Sequence, residues 1–136
     1  MPLTRPKSIL VVDDDEDTRT VTVLLLVKAG YHVREARDGR EALDLCWSER
    51  PWLILLDCVM PFMNGPELAN VLAAEPWLAP IPIVFVSATS LPATPGPNVV
   101  GRLCKPITRL DLLAMVRGVA ARASRDVTGP RYAAGE

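Results

Sequence analysis

An α/β fold built on a doubly wound parallel sheet is predicted by three features of the 136-residue sequence. Short aliphatic runs of strand length alternate with segments whose apolar residues recur at helical spacing. The runs are apolar at successive positions, as strands covered by helices on both faces require. Several of them end on an acid or a hydroxyl, which gathers polar side chains at one edge of the sheet.

The first strand is Ser8 to Val12, too short for a helix, and it runs straight into five acids, Asp13 to Asp17. Thr18 to Lys28 then carries Val21, Leu24 and Leu25 at helical spacing and stops near Gly30, a natural residue just past a helix end. Tyr31 to Ala36 is the second strand. Gly39 to Arg50 is the second helix, with Ala42, Leu43, Cys46 and Trp47 on one face and Pro51 closing it. Trp52 to Asp57, "WLILLD", is the third strand and again ends on an acid. Glu67 to Glu75 forms a third helix with Leu68, Val71 and Leu72 inward, terminated by Pro76. Ile81 to Ser87 is the fourth strand.

The alternation then breaks. "TSLPATPGPNVVG" holds Pro92, Pro95 and Pro97, and proline both removes a helical hydrogen bond and clashes with the preceding turn, so no helix of normal length is expected there. "VGRLC" supplies a fifth strand. Thr108 is the N-cap of a last helix, with Asp111 three residues on and Leu112, Val116, Val119 and Ala120 as its buried stripe. From about Ser124 the period is lost. One domain is therefore expected over residues 1–122, with a disordered tail over 123–136.

Composition narrows the function. The chain is 49% hydrophobic and 23% charged with a net charge of −1, which provides neither a basic footprint for nucleic acid nor one for a membrane surface. No apolar run approaches the roughly 20 residues that span a bilayer. The N-terminus lacks the pattern of a signal peptide. A cytoplasmic chain is expected. Cys46, Cys58 and Cys104 have the spacing of neither a disulfide framework nor a metal knuckle and read as packing thiols.

In a parallel α/β sheet, sites form outside the carboxyl ends of the strands. The residues there are Asp13 and Asp14 after the first strand, Asp57 after the third, Ser87 after the fourth and Lys105 after the fifth. Three carboxylates at one edge repel one another, which calls for a divalent cation or for protonation. Hard oxygen ligands without histidine or thiolate suggest Mg2+, with phosphate oxygens completing its shell. Lysine and a hydroxyl suit the other oxygens of a phosphoryl group. Asp15, Glu16 and Asp17 are read instead as complements to a helix N-terminus. A calcium loop counted from Asp13 is excluded, since Thr18 and Leu24 stand where it needs Gly and Glu. The acids would also repel a flavin phosphate.

The segments "LVVDD", "LLDCVMPFMNG", "VFVSA" and "CKPI" resemble, in order and spacing, the motifs of the receiver domain of bacterial two-component response regulators, over about residues 7 to 122. Asp57 to Gly65, D-x-x-M-P-x-M-x-G, is the most specific. The resemblance implies a five-stranded flavodoxin-like sheet in the order 2-1-3-4-5, with the family's fourth helix here shortened or replaced by the Pro-rich loop. It implies that Asp57 accepts a phosphoryl group from a sensor histidine kinase or phosphotransfer protein. Asp13, Asp14, Asp57 and the Val59 carbonyl would hold Mg2+. Ser87 would be the switch hydroxyl, Ala88 the small residue leaving the entry open, and Lys105 the cation that meets the phosphoryl group. A single-domain regulator is expected, not an enzyme beyond its own phosphotransfer and dephosphorylation, signalling to a downstream protein by contact. Val59 and Thr89 offer no carboxylate or amide to orient an attacking water, so self-dephosphorylation is expected to be slow.

Two departures bear on output. The chain is several residues short between Ser87 and Lys105, and Arg102 replaces the family's switch aromatic. The alternative is a pseudo-receiver, a binding module that switches without phosphorylation. His32, the only histidine, reads as a packed or surface residue.

Overall fold

A computed structural model of the chain describes residues 7–88, 96 and 98–128, with side chains described up to residue 122. Strands β1 (Ser8–Val12), β2 (His32–Ala36), β3 (Leu53–Asp57), β4 (Ile83–Ser87) and β5 (Val99–Cys104) pair in parallel in the order β2-β1-β3-β4-β5. This is the expected order. Helices α1 (Glu16–Lys28), α2 (Gly39–Ser48), α3 (Gly65–Ala73) and α4 (Arg109–Thr128) complete the fold.

Every residue of β1, β3 and β4 is buried. Because successive strand residues point to opposite faces, these aliphatic runs feed two cores at once. Leu10, Ile54, Leu56 and Phe85 pack against Ala42 and Cys46 of α2 and Leu68 and Leu72 of α3. Ile9, Val11, Leu55 and Val84 pack on the other side against Leu26 of α1 and Leu112 and Val116 of α4. Each fully buried Leu contributes roughly 1.5–3 kcal/mol relative to exposure, so the central strands anchor the molecule.

The buried stripe of α1 differs from the one the sequence predicts. Thr22 and Leu26, one turn apart, face the sheet, while Val21, Leu24 and Val27 are 53%, 53% and 50% exposed. From Val21 to Val27 nearly every position is apolar, so spacing alone cannot select a face. Trp47 and Val71, also expected inward, are exposed.

Helix starts follow their caps rather than their apolar periods. Asp15 caps α1, its side chain accepting from the Thr18 N–H, so the helix begins at Glu16. Asn64 and Glu67 form a capping box ahead of Pro66, so α3 begins at Gly65, two residues before the expected Glu67. Thr108 Oγ1 accepts from the Asp111 N–H at 3.1 Å, as the sequence indicated. The last helix continues to Thr128, past the expected boundary at 122, since no breaker intervenes before Gly129 and Pro130. Residues 129–136 of the expected tail lie outside the described residues. Among the described residues no helix lies between β4 and β5. The Pro-rich loop itself falls on residues 89–95 and 97, outside them.

Candidate functional site

The parallel register brings the carboxyl ends of β1, β3, β4 and β5 to one edge. Asp13 extends β1, its N–H donating to the Ala36 carbonyl at 3.1 Å, and is 4% exposed. Its Oδ1 accepts from the Asp15 N–H at 2.9 Å. Asp57 closes β3 and is also 4% exposed. Asp14 is exposed. One carboxylate oxygen from each of Asp13, Asp14 and Asp57 lies within 4.8 Å of the others. Those donors are all hard oxygens in a tight cluster, which suits a small divalent cation.

Lys105 follows β5 and is tied to the sheet where its N–H donates to the Ser87 carbonyl at 2.9 Å. Its Nζ reaches Asp13 Oδ2 at 3.1 Å and Asp57 Oδ1 at 3.4 Å. One ammonium thus spans two buried carboxylates from different strands. Burial disfavours the Lys105 cation, but the charges and hydrogen bonds of Asp13 and Asp57 prevail and hold its pKa above the ordinary lysine value. Asp57 is pushed up to about 6, chiefly by burial and then by the Asp13 charge, against the opposing pull of Lys105.

The loop from Cys58 to Asn64 is drawn closed where the Gly65 N–H donates to the Cys58 carbonyl at 2.9 Å. Only glycine fits: a Cβ at Gly65 would stand 2.7 Å from the Asp57 carbonyl oxygen and 2.9 Å from the Cys58 Cα. The start of α3 therefore lies directly on the backbone of Asp57. Val59 turns its N–H toward Asp57 Oδ1 at 3.4 Å and leaves its side chain exposed. Ser87 is buried at the end of β4. Burial raises the neighbouring Cys58 thiol to about 11, with the Asp57 charge adding to the effect and a Ser87 hydrogen bond opposing it.

Ala88 is exposed and, with Thr18, Val21, Lys105, Pro106 and Ile107, lines a cleft of about 430 Å³ between α1 and the start of the last helix. Arg102 is not part of this edge cluster. It is exposed on β5 and lines a separate groove with Met115 and Arg122 of α4. Asp15, expected only to complement the charge of a helix N-terminus, is the N-cap itself: hydrogen bonds from the Thr18 hydroxyl and N–H hold its carboxyl below the usual range. Thr89 lies outside the described residues.

Arg19 was not singled out by the sequence reasoning, yet it buttresses the edge. Its Nη1 donates to the Asp13 carbonyl at 2.8 Å while its Nε pairs with Glu35 at 2.9 Å, clamping α1 to the ends of β1 and β2. A lone basic residue one turn into an acid-rich helix start was the available signal.

Comparison with known proteins agrees over most of the chain. The family described as the response regulator receiver domain matches residues 9–117. Protein Rrf1 of Nitratidesulfovibrio vulgaris is 32% identical over 111 residues, 82% of this chain and 80% of that protein. Response regulator MprA of Mycolicibacterium vanbaalenii is 37% identical over 123 residues, 89% of this chain but 53% of that protein, so the chain spans about half of this relative's length. Among solved structures, the Vibrio cholerae chemotaxis protein CheY4 matches with a TM-score of 0.78 at 30% identity, over 85% of this chain and 99% of that one.

Proposed function

Since the chain belongs to the response regulator receiver family, we propose that it is a phosphorylatable receiver in which Asp57 takes a phosphoryl group from the phosphohistidine of a sensor kinase or phosphotransfer protein. The observation that carries this reading is the convergence of Asp57, Asp13 and Lys105 within 3.4 Å contacts at the carboxyl edge of the sheet. An Asp57 carboxylate oxygen attacks phosphorus in line, the phosphorus–nitrogen bond to histidine breaks, and an acyl phosphate forms. Such a transfer needs placement and charge neutralisation more than covalent help.

Asp13, Asp14, Asp57 and the Val59 carbonyl would hold Mg2+, which supplies charge neutralisation at the phosphoryl oxygens when bound. Asp57 is positioned by the β3 ladder and by the close packing of Gly65 beneath it. Lys105 exchanges one of its carboxylate partners for a phosphoryl oxygen. Ser87, at the end of the neighbouring strand, is the hydroxyl that follows the new charge, biasing the surface that signals to a protein partner. Val59 presents no amide or carboxylate to orient a water, so the acyl phosphate hydrolyses slowly.

The test is transfer from an autophosphorylated histidine kinase labelled on phosphorus. Label is expected on the wild-type chain with Mg2+ and absent from Asp57→Asn. Label retained by Asp57→Asn would assign the acceptor elsewhere, and a chain that no kinase or small phosphodonor labels would favour a module that switches through contacts alone.

A further inference from the structure

Asp13 is held through both its backbone and its side chain. Its N–H donates to the Ala36 carbonyl, its Oδ1 accepts from the Asp15 N–H, and its Oδ2 meets the Lys105 ammonium. Arg19 supplies the remaining hold, its Nη1 donating to the Asp13 carbonyl at 2.8 Å. In a strand that ran on, a ladder partner would take this carbonyl, but β1 ends at Val12 and a side chain takes it instead. Arg19 is itself fixed. Its side chain is 12% exposed, and its Nε pairs at 2.9 Å with Glu35, the β2 residue in register with Val11 of β1. The rigid fork of a guanidinium lets one residue hold the backbone beyond β1 and a side chain of β2 at once.

The Asp13 carbonyl lies in the peptide plane that joins Asp13 to Asp14, and that plane is rigid. Fixing its oxygen restrains the rotations on either side, and with them the directions in which the two carboxylates leave the chain. Asp14 is exposed and, among the described residues, makes no hydrogen bond of its own, so this plane is what places it. Two of the three clustered carboxylates therefore depend on a guanidinium that hydrogen-bonds to neither of them.

On the reading of these carboxylates as Mg2+ ligands, we propose that Arg19 is a positioning residue for the cation, acting through the Asp13–Asp14 peptide. Charge and position pull in opposite directions here, which makes the role separable. A guanidinium beside a cation site repels the ion, and Glu35, half exposed, offsets only part of that charge. Removing Arg19 would therefore tighten metal binding if charge alone mattered, and loosens it if its grip on the backbone matters more. Mg2+ demands near-ideal octahedral geometry whereas Ca2+ accepts irregular ligand sets, so the loosening falls chiefly on Mg2+.

The test is titration of the full chain with MgCl2 and, separately, CaCl2, followed at the Asp13, Asp14 and Asp15 backbone N–H signals by proton–nitrogen correlation NMR. Arg19→Met is expected to bind Mg2+ about tenfold more weakly than wild type, the scale of a lost outer-shell partner, while Ca2+ affinity changes much less. Arg19→Lys keeps the charge and a donor but not the forked grip, and is expected to lose Mg2+ affinity to a smaller extent; it carries the comparison should Arg19→Met fail to fold. Mg2+ affinity that is unchanged or increased in the variants, or an equal loss for the two ions, would overturn the proposal. A wild-type chain that binds neither ion would overturn the cation site itself, and the role of Arg19 with it.

Discussion

Lys105 Nζ lies 3.4 Å from Asp57 Oδ1, a contact made across the sheet from the end of β5 to the end of β3. Removing that cation leaves Asp57 facing Asp13 with nothing between them. Lys105→Met is expected to raise the Asp57 pKa further and to slow phosphorylation by about a hundredfold, the scale of a lost preorganised charge. Initial rates of adduct formation across pH measure both effects. A rate unchanged from wild type would remove Lys105 from the site.

The pKa of Asp57 sets a pH dependence of stability. Its value of about 6, raised from 3.8 by burial and by Asp13, means that the folded state holds a proton which the unfolded state has released over that window. Stability therefore falls as pH rises from about 4 to about 6 and stays reduced above it. Asp57→Asn removes this cost. In metal-free urea unfolding the variant is expected to exceed wild type by about 1–3 kcal/mol near pH 8, with the difference shrinking below about pH 4. A variant less stable than wild type at the higher pH would contradict this electrostatic account.

Gly65 is the steric counterpart of that charge. A Cβ there meets backbone at 2.7 and 2.9 Å, which cannot yield as a flexible side chain can. Gly65→Ala is expected to lose about 1–3 kcal/mol of stability, in the range of overpacking, and to slow phosphorylation by displacing Asp57. Thermal unfolding and adduct rates read the two consequences separately.

The two faces of α1 offer a packing test. Leu26→Ala should cost about 2–5 kcal/mol, whereas Leu24→Ala should stay within about 0.5 kcal/mol. Comparable losses at the two positions in urea titrations would mean that the helix is rotated from the arrangement described.

How much was legible in the sequence follows from these same residues. The sheet residues Asp13, Asp57 and Ser87 were readable because short aliphatic runs have one way to end, and the chain direction then fixes which edge the polar residues join. Thr108 was readable as a cap, and Asp15 as a charge suited to a helix N-terminus, because that chemistry is local. Leu26 was not: in a helix apolar on nearly all sides, the buried face is chosen by the neighbouring sheet, and single-segment periodicity carries no record of that choice. Arg19 escaped notice for a related reason, since its partners Asp13 and Glu35 come together only in the fold. The start of α3 was misplaced because the capping pair Asn64 and Glu67 outweighs the apolar spacing that begins at Leu68.

The central claim, that Asp57 is a phosphoacceptor served by the edge carboxylates and Lys105, is tested most directly by intact-protein mass after incubation with acetyl phosphate and Mg2+. A single phosphoryl adduct is expected, lost when Mg2+ is withheld and absent from Asp57→Asn. An adduct that persists in Asp57→Asn, or no adduct under any condition, would contradict it.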